Sequence, residues 1–267
     1  MSQKRQNTIF DPLPEQHAHV TTLTRDYPAG HKVRWHFHDR DQLVYASRGV
    51  MTVRTKVGTW VVPTHRAVWI SAQVPHAITM SGAVAMRTLY FKPRLARTLP
   101  TGCCVVNVSP LLKELVLHAC EFPSLKMRLP WQKHLIDMIL DQLIAIPMVP
   151  LQLPHLSDAR AIRVADILLA NPGNTRTLTQ LCKSAGASKR TLERIFQKEA
   201  GMTLGKWRQQ LRLMQAVRLL AEGAKVTHAA LDAGYNSASA FISMFRKTLG
   251  TTPALYFQAA GSRRGNV

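Results

Sequence analysis

A repeat in the C-terminal part of the chain constrains its fold most strongly. Gly186 aligns with Gly234 at an offset of 48 residues, and the offset becomes 49 for three further pairs: Leu192 with Phe241, Phe196 with Phe245, and Gly201 with Gly250. In each copy a glycine can form a left-handed turn, and apolar residues four apart share one helix face. The repeat therefore predicts two helix-turn-helix motifs, spanning Leu178–Phe196 and Val226–Leu249.

The residues around the two motifs predict an all-α domain of seven helices. Thr177 and Gln180 have the spacing of a capping box at a helix start. A long helix that ends at Gly223 connects the motifs, with its apolar positions on one face. Those positions are Trp207, Leu211, Met214, Val217 and Leu220.

Charge and cysteine content limit the partners and the compartment. The 267-residue chain has a formal net charge of +20, which favours a polyanionic partner because phosphate neutralisation is a main source of nucleic-acid affinity. The four cysteines form no CxxC pair, as expected for a reducing cytoplasm. No apolar run approaches the roughly 20 residues that span a bilayer. We therefore expect a cytoplasmic protein with no membrane partner.

The N-terminal part has the pattern of a small β-barrel. Residues 18–91 contain short alternating segments rich in Val, Thr, Trp and Tyr, separated by glycine and proline turns. Two helical stretches follow, at Pro110–Ala119 and Trp131–Ile146. A stripe in the second is either intramolecular core or a dimerisation surface. It consists of Leu135, Met138, Ile139, Gln142 and Leu143.

Prolines at 147, 150 and 154 indicate a linker between the two parts of the chain. The predicted fold class is therefore two-domain α+β: a β-barrel followed by helices, then the all-α domain. We predict a barrel domain at 1–105, a helical coupling or dimerisation segment at 106–146, a linker at 147–157 and a double helix-turn-helix domain at 158–260.

The C-terminal motifs carry a resemblance to a known family. From Asp158 to Gln258 the chain resembles the DNA-binding domain of the AraC/XylS family of bacterial transcription regulators. The matching residues are Leu181-x4-Gly186-x-Ser188-x-Arg190-Thr-Leu192-x-Arg194-x-Phe196, Gly201-Met-Thr, Leu211-Arg-Leu, Ala216-x-Arg218-Leu-Leu and Gly250-x-Thr-Pro253-x-x-Tyr256. The resemblance implies that the two motifs lie at opposite ends of the long helix and enter successive major grooves, about 34 Å apart.

The same resemblance assigns DNA contacts residue by residue. Base-facing positions are Arg190, Glu193 and Arg194 in the first motif and Ala238, Ser239 and Ser243 in the second. Phosphate-contacting positions are Ser188, Lys189, Thr191, Asn236, Ser237, Arg246 and Lys247. Arg194 would bind a guanine edge through two hydrogen bonds. The alternative is a solvated helix face with an Arg–Glu pair. Because the second motif offers only hydroxyl and methyl groups to bases, we expect looser sequence demands there.

The N-terminal part resembles the cupin fold, a double-stranded β-helix barrel, in the form used as an AraC-type sensor domain. The first cupin signature matches as Gly30-x5-His36-x-His38-x3-Gln42-x6-Gly49, with glutamine where the family normally has glutamate. The second matches at Gly58 to Pro63 and at Pro75-His76, with the usual glycine replaced near Gln73.

Two interpretations of this second site remain open. His36, His38 and His76 would bind a divalent metal, with Gln42 as a weak fourth ligand. Alternatively, the four residues line a pocket and hydrogen-bond a small-molecule effector without metal.

These observations predict a sequence-specific, effector-responsive transcription regulator that is not an enzyme. Its partners would be double-stranded operator DNA and a small molecule, with RNA polymerase and a second copy of the chain as further candidates. Two alternatives remain: a metal-dependent cupin enzyme with a basic DNA-binding appendage, and a DNA-binding protein that responds to no ligand.

Overall fold

The structure of the protein is a computed structural model. It describes residues 9–10, 17–146 and 151–258. It divides into two compact units, one within Met1–Lys56 and Val62–Val149, the other within Val57–Val61 and Pro150–Val267. Residues 147–150 of the predicted linker and 259–260 of the predicted C-terminal domain lie outside the described residues. Among the described helices, none is both long and apolar enough to cross a membrane.

The strands, in chain order, are β1 (Ile9–Phe10), β2 (Val20–Tyr27), β3 (Lys32–Phe37), β4 (Asp41–Val44), β5 (Ala46–Thr55), β6 (Gly58–Val62), β7 (Arg66–Ile70), β8 (His76–Phe91), β9 (Cys103–Asn107), β10 (Ser124–Leu125), β11 (Ala145–Ile146) and β12 (Gln152–Pro154). The helices are α1 (Pro110–Ala119), α2 (Pro130–Gln142), α3 (Ala159–Ala170), α4 (Leu178–Ala185), α5 (Lys189–Ala200), α6 (Leu204–Ala221), α7 (Val226–Asp232), α8 (Ala238–Leu249) and α9 (Pro253–Gln258).

The first unit is built around the 16-residue strand β8, which pairs antiparallel with β2, β3, β4 and β5. From β5 the sheet continues in the order β5-β8-β4-β7-β9-β11, and β1 adds to β3 in parallel. The predicted small barrel is confirmed as a curled, mainly antiparallel sheet.

One face of this sheet packs on α1 and α2. Leu43, Leu89 and Phe91 on the strands and Leu112 and Ile136 on the helices belong to one buried apolar cluster. Because successive side chains of a strand alternate between faces, the neighbouring residues Gln42 and Tyr90 lie on the opposite, interior face.

The stripe predicted on α2 is mostly intramolecular core. Leu135, Ile139 and Leu143 are buried in the cluster described above, whereas Met138 is exposed. The prediction that this helix continues to Ile146 is wrong, because α2 ends at Gln142. Leu143 takes an extended conformation, and β11 then pairs with Val105 and Val106 of β9.

The second unit contains β12 and the seven helices α3 to α9, as predicted for the all-α part. β12 lies inside the predicted linker, and its residues pair with Gly58, Thr59 and Trp60. Leu151 and Leu153 are buried, so the hydrophobic effect stabilises this segment. The sequence here has prolines and no polar-apolar periodicity, and it therefore did not indicate a strand. The capping box of Thr177 and Gln180 is present at the start of α4.

Candidate DNA-binding surface and interior site

The first helix-turn-helix consists of α4, a turn at Gly186 and α5. Gly186 has φ of +63°, the left-handed conformation that favours glycine. The hydroxyl oxygen of Ser188 accepts the N–H of Thr191 and begins α5. Leu192 and Phe196 of α5 are buried, so the helix is fixed by one face and presents the other.

The presented face of α5 is cationic. Lys189, Arg190 and Arg194 are all exposed, as the predicted base and phosphate contacts require. Glu193 is arranged differently: its carboxylate accepts the N–H of Leu204, 3.2 Å away, in the first turn of α6. A carboxylate there stabilises the helix N-terminus, so a base contact by Glu193, which stays a prediction, would compete with this cap.

The second helix-turn-helix consists of α7, a turn at Gly234 and α8. Gly234 has φ of +86°, and Ser237 caps α8 by accepting the N–H of Ala240. Phe241 and Phe245 are fully buried. The predicted base-facing residues of α8 are small: Ser239 and Ser243 are exposed and Ala238 is half-buried.

The predicted phosphate contacts fall into two groups. Lys189, Asn236, Arg246 and Lys247 are exposed, and their side chains can reach a backbone phosphate directly. The hydroxyls of Ser188, Thr191 and Ser237 take part in the helix starts, where Ser188 and Thr191 also lie 2.9 Å apart, oxygen to oxygen. Such hydroxyls could still donate to a phosphate oxygen while accepting a backbone N–H. All seven contacts stay predictions.

The sheet interior of the first unit brings His36, His38 and His76 together. Their potential ligand atoms lie within 4.8 Å of one another, and all three residues are buried. His36 is directly opposite His76 in the β3–β8 ladder, and their ring centroids are 4.2 Å apart. The chain spacing alone could not show this proximity, which depends on strand register.

The tautomers of two of these histidines follow from their hydrogen bonds. The Nδ1 atoms of His36 and His76 lie 2.7 Å from the carbonyl oxygen of Arg34 and 3.0 Å from that of Val74. An Nδ1–H that donates to a carbonyl leaves Nε2 as the lone-pair acceptor. Burial, followed by the charge of His36, lowers the pKa of His76 to about 3, so this imidazole is neutral at physiological pH.

Gln42 lies near the histidines, with Tyr90 between them. Gln42 is directly opposite Tyr90 in the β4–β8 ladder, and the ring of Tyr90 packs edge-on against His38 with centroids 4.9 Å apart. Within residues 17–146, the oxygen and nitrogen of the Gln42 amide and Nε2 of His76 are buried and have no hydrogen-bond partner. Buried polar atoms without partners are costly, which points to a ligand, an ion or water in this interior.

The donor set can be tested against a metal. Ligand nitrogens about 2.1 Å from one zinc ion lie at most about 4.2 Å apart, so modest side-chain shifts would bring the three imidazoles onto one ion. The fourth residue, Gln42, offers a neutral amide oxygen instead of the carboxylate that favours iron or manganese. The three imidazoles alone would therefore suit an imidazole-preferring divalent ion such as zinc, whereas Gln42 adds no negative charge that would hold one.

Comparison with known proteins identifies the family of this chain. A family model described as an AraC-like ligand binding domain matches residues 18–122, and one described as a helix-turn-helix domain matches residues 181–259. The HTH-type transcriptional regulator NimR of Escherichia coli K12 is 34% identical over 221 residues, covering 83% of this chain and 81% of that protein. The chain belongs to the AraC family of transcriptional regulators. It thus combines a DNA-binding helix-turn-helix domain with a ligand-binding N-terminal domain.

The chain is also similar to other regulators and to solved structures. RipA of Corynebacterium glutamicum is 32% identical over 111 residues, which is 42% of this chain and 32% of that protein. Among solved structures, the DNA-binding domain of AdpA in complex with a target DNA is 32% identical, covering 40% of this chain and 97% of that one, with a TM-score of 0.38. ToxT of Vibrio cholerae covers 92% and 99% of the two chains at 13% identity and a TM-score of 0.40.

Sequence reasoning missed part of the interior of this AraC-family protein. Thr21 is directly opposite Tyr90 across the β2–β8 ladder, and Thr88 is two residues from Tyr90 on the same strand, so both share the face of Gln42. Both hydroxyls are buried without a hydrogen-bond partner in the described chain. The alternation of side chains along a strand could have placed Thr88 on the face of Tyr90. The pairing of Thr21 with Tyr90 is visible only in the folded sheet.

Proposed function

We propose that this protein binds a specific operator duplex through α5 and α8 and that a small molecule held in the sheet interior regulates this binding. The observation that carries the DNA part is the exposed cationic face of α5, with Arg190 and Arg194 on a helix whose other face is buried. Arg194 would hydrogen-bond a guanine O6/N7 edge, and α8 would add weak discrimination. A protein that binds operator DNA would act in the bacterial cytoplasm, which is the location proposed for this chain.

The first prediction concerns Arg194. Its replacement by alanine is expected to cost about 1–3 kcal/mol of binding free energy and to relax the base preference at one position. The measurement is equilibrium binding at several salt concentrations to a duplex that the parent protein selects from a random library, and to its single-base variants. Arg246→Ala, a predicted phosphate contact, should weaken binding to all variants alike and reduce the salt dependence by about one ion.

Arg97→Ala is the matched control, because Arg97 is also exposed but belongs to the first unit. It removes the same charge and should leave base preference unchanged. If Arg194→Ala discriminates among the variants as the parent does, the assignment of Arg194 to a base is wrong.

The proposed effector site is the interior formed by His36, His38, Gln42 and His76. Its support is the group of buried polar atoms that lack partners, on both Gln42 and His76. Neutral amide and imidazole groups offer donors and acceptors in a water-poor space, which suits a small polar molecule. A bound molecule could shift DNA affinity only by binding two arrangements of the protein unequally.

The second prediction separates a neutral ligand from a metal. The purified protein is expected to contain no stoichiometric metal, and zinc chloride is expected to leave its thermal transition unchanged. Gln42→Glu should lower stability, because it buries a carboxylate without a cation, and manganese or iron(II) should partly restore it. Elemental analysis and thermal unfolding measure both. Stoichiometric metal in the parent, or a zinc-dependent rise in its transition temperature, would make the site a metal centre instead.

The proposal includes no catalytic reaction. The relatives named above are transcription regulators. A cupin enzyme would require a resident metal with an open coordination position, so elemental analysis combined with oxygen uptake tests this alternative directly. Competition by nonspecific DNA tests the second alternative, a DNA-binding protein that responds to no ligand. A specific regulator should keep a preference of about a thousandfold or more for its operator.

A second copy of the chain and RNA polymerase are further proposed partners. Support for a homodimer comes from large apolar side chains exposed on and beside α1 and α2. They are Leu111, Leu129, Trp131, Met138 and Ile144. Among the residues that the structure describes, no particular surface supports the contact with RNA polymerase.

A further inference from the structure

The two helix-turn-helix motifs are connected through more than α6. The loop between α3 and α4, residues 171–176, enters the first motif at Thr177 and also contacts the turn of the second motif. We propose that this loop contact sets the relative position of the two recognition helices and thereby the spacing between half-sites that the protein accepts. The inference rests on the proposed function, in which α5 and α8 bind one duplex.

Two arginines of α6 hold one side of the loop. Arg208 donates to the carbonyl oxygen of Arg176 at 2.7 Å and also to that of Asn174. Arg212, one turn later on the same face, donates to Asn174 at 2.9 Å and to Pro172 at 3.3 Å. Guanidinium groups present several donors in a fixed plane. Together the two arginines hold the carbonyl groups of three alternate loop residues, 172, 174 and 176, against α6.

The other side of the loop packs on the second motif without intervening space. A Cβ atom added to Gly173 would lie 2.8 Å from the carbonyl oxygen of Asp232, the last residue of α7. One added to Gly234 would lie 2.8 Å from the Cα of Gly173 and 3.0 Å from the guanidinium of Arg212. Backbone-to-backbone contact this close requires glycine at both positions.

The loop contact adds a second connection between the motifs to that made by α6, which itself packs on α5 and α7. Short segments join α6 to its neighbours, and each contains a glycine with positive φ: Gly201 at +67° before α6 and Gly223 at +94° after it. The first motif makes further hydrogen bonds: Arg163 donates to the carbonyl oxygen of Ala185, and the carboxylate of Glu199 accepts the N–H of Ser157. For the second motif, the packing of Gly173 on Gly234 fixes its turn to the first.

The effect would appear in DNA spacing. The two recognition helices must enter grooves about 34 Å apart, and one inserted base pair moves the second half-site by about 3.4 Å. A protein with rigidly connected motifs binds only one spacing well, whereas a protein with a loosened connection tolerates the insertion but loses part of the benefit of the second half-site.

The experiment uses the full chain and three duplexes. The first is selected by the parent protein from a random library. In the second, the half-site that does not contain the Arg194 contact is scrambled, and in the third, one base pair is inserted between the half-sites. Gly173→Ala is expected to weaken binding to the first duplex about tenfold or more. Binding to the scrambled duplex should stay within about twofold of the parent, and the preference for the original spacing should largely disappear.

Gly205→Ala is the matched control, since a Cβ there would lie 4.0 Å from the nearest atom; it should behave like the parent on all three duplexes. Arg212→Lys provides a second test that introduces no steric clash, because lysine keeps the charge but cannot bridge Pro172 and Asn174 with a planar group. It should show the same pattern with a smaller effect.

Two outcomes would overturn the proposal while leaving the proposed function intact: both variants keep the spacing preference of the parent, or both lose the first and the scrambled duplex equally, which would indicate damage to the first motif. A parent protein that does not distinguish its selected duplex from random DNA would contradict the proposed function itself, and the spacing proposal would fall with it.

Discussion

Replacing Phe245 with alanine is expected to destabilise the second helix-turn-helix by about 3–5 kcal/mol. The side chain is fully buried, and its ring packs edge-on against Phe241 and Tyr256, with centroids 5.5 and 5.1 Å away. Truncation would open a cavity between α8 and α9 that the rigid aromatic neighbours cannot close. The first helix-turn-helix has its own buried residues, Leu192 and Phe196, and should remain folded.

Hydrogen exchange of the α8 amides measures this loss locally, because the exchange rate reports the free energy of opening. Protection in α8 should fall strongly while protection in α5 changes little. Binding to a duplex with both half-sites should approach that of a duplex with only the first. Leu255→Ala is the control, since Leu255 lies on α9 but is 58% exposed. Equal loss of protection in α5 and α8 would show that the two motifs unfold as one unit.

The sequence predicted the second unit well because its signals are local. Glycines at 186, 201, 234 and 250 end helices or form turns in the left-handed conformation, as their positions in the repeat indicated. Ser188 and Ser237 cap the recognition helices. Each of these features depends on a few neighbouring residues, and each is encoded twice.

Features that depend on distant partners were predicted less well. Ala145 and Ile146 continued the apolar pattern of α2, but pairing with β9 made them a strand. β12 was assigned to a linker because of its prolines, and its partner β6 lies about ninety residues earlier in the chain. Local spacing could not reveal either pairing, since strand register is a tertiary property.

The candidate sites show the same division. The exposure of Arg190 and Arg194 followed from helical periodicity, and the grouping of three histidines followed from the resemblance to cupins. The base contact predicted for Glu193 stays a prediction, and helical periodicity did not indicate that its carboxylate also accepts the N–H of Leu204. Gln73 adopts φ of +65°, and its N–H donates to the carbonyl oxygen of His38. Here a non-glycine residue keeps the turn conformation near the position where the signature has glycine.

Gly49 links the cupin signature to the stability of the interior site. It has φ of +82° and lies at a register shift of β5 against β8, between Arg48 and Val50. After this bulge β5 stays in register until Thr55 is opposite His76. A change of register by one residue would turn every later side chain to the other face, so Gly49 helps to place β5 correctly beside the histidines.

Gly49→Ala is therefore expected to destabilise the first unit by about 2–5 kcal/mol. Left-handed backbone costs alanine about 1–2 kcal/mol, and overpacking adds about 1–3 kcal/mol, because the new Cβ would lie 2.4 Å from the carbonyl oxygen of Ala83 and 2.9 Å from Val84. Gly30→Ala isolates the first contribution: Gly30 has φ of +75° but no atom within 4 Å of its added Cβ. Hydrogen exchange of the β5 and β8 amides measures both variants, and equal losses of protection would show that the contact with Ala83 contributes nothing.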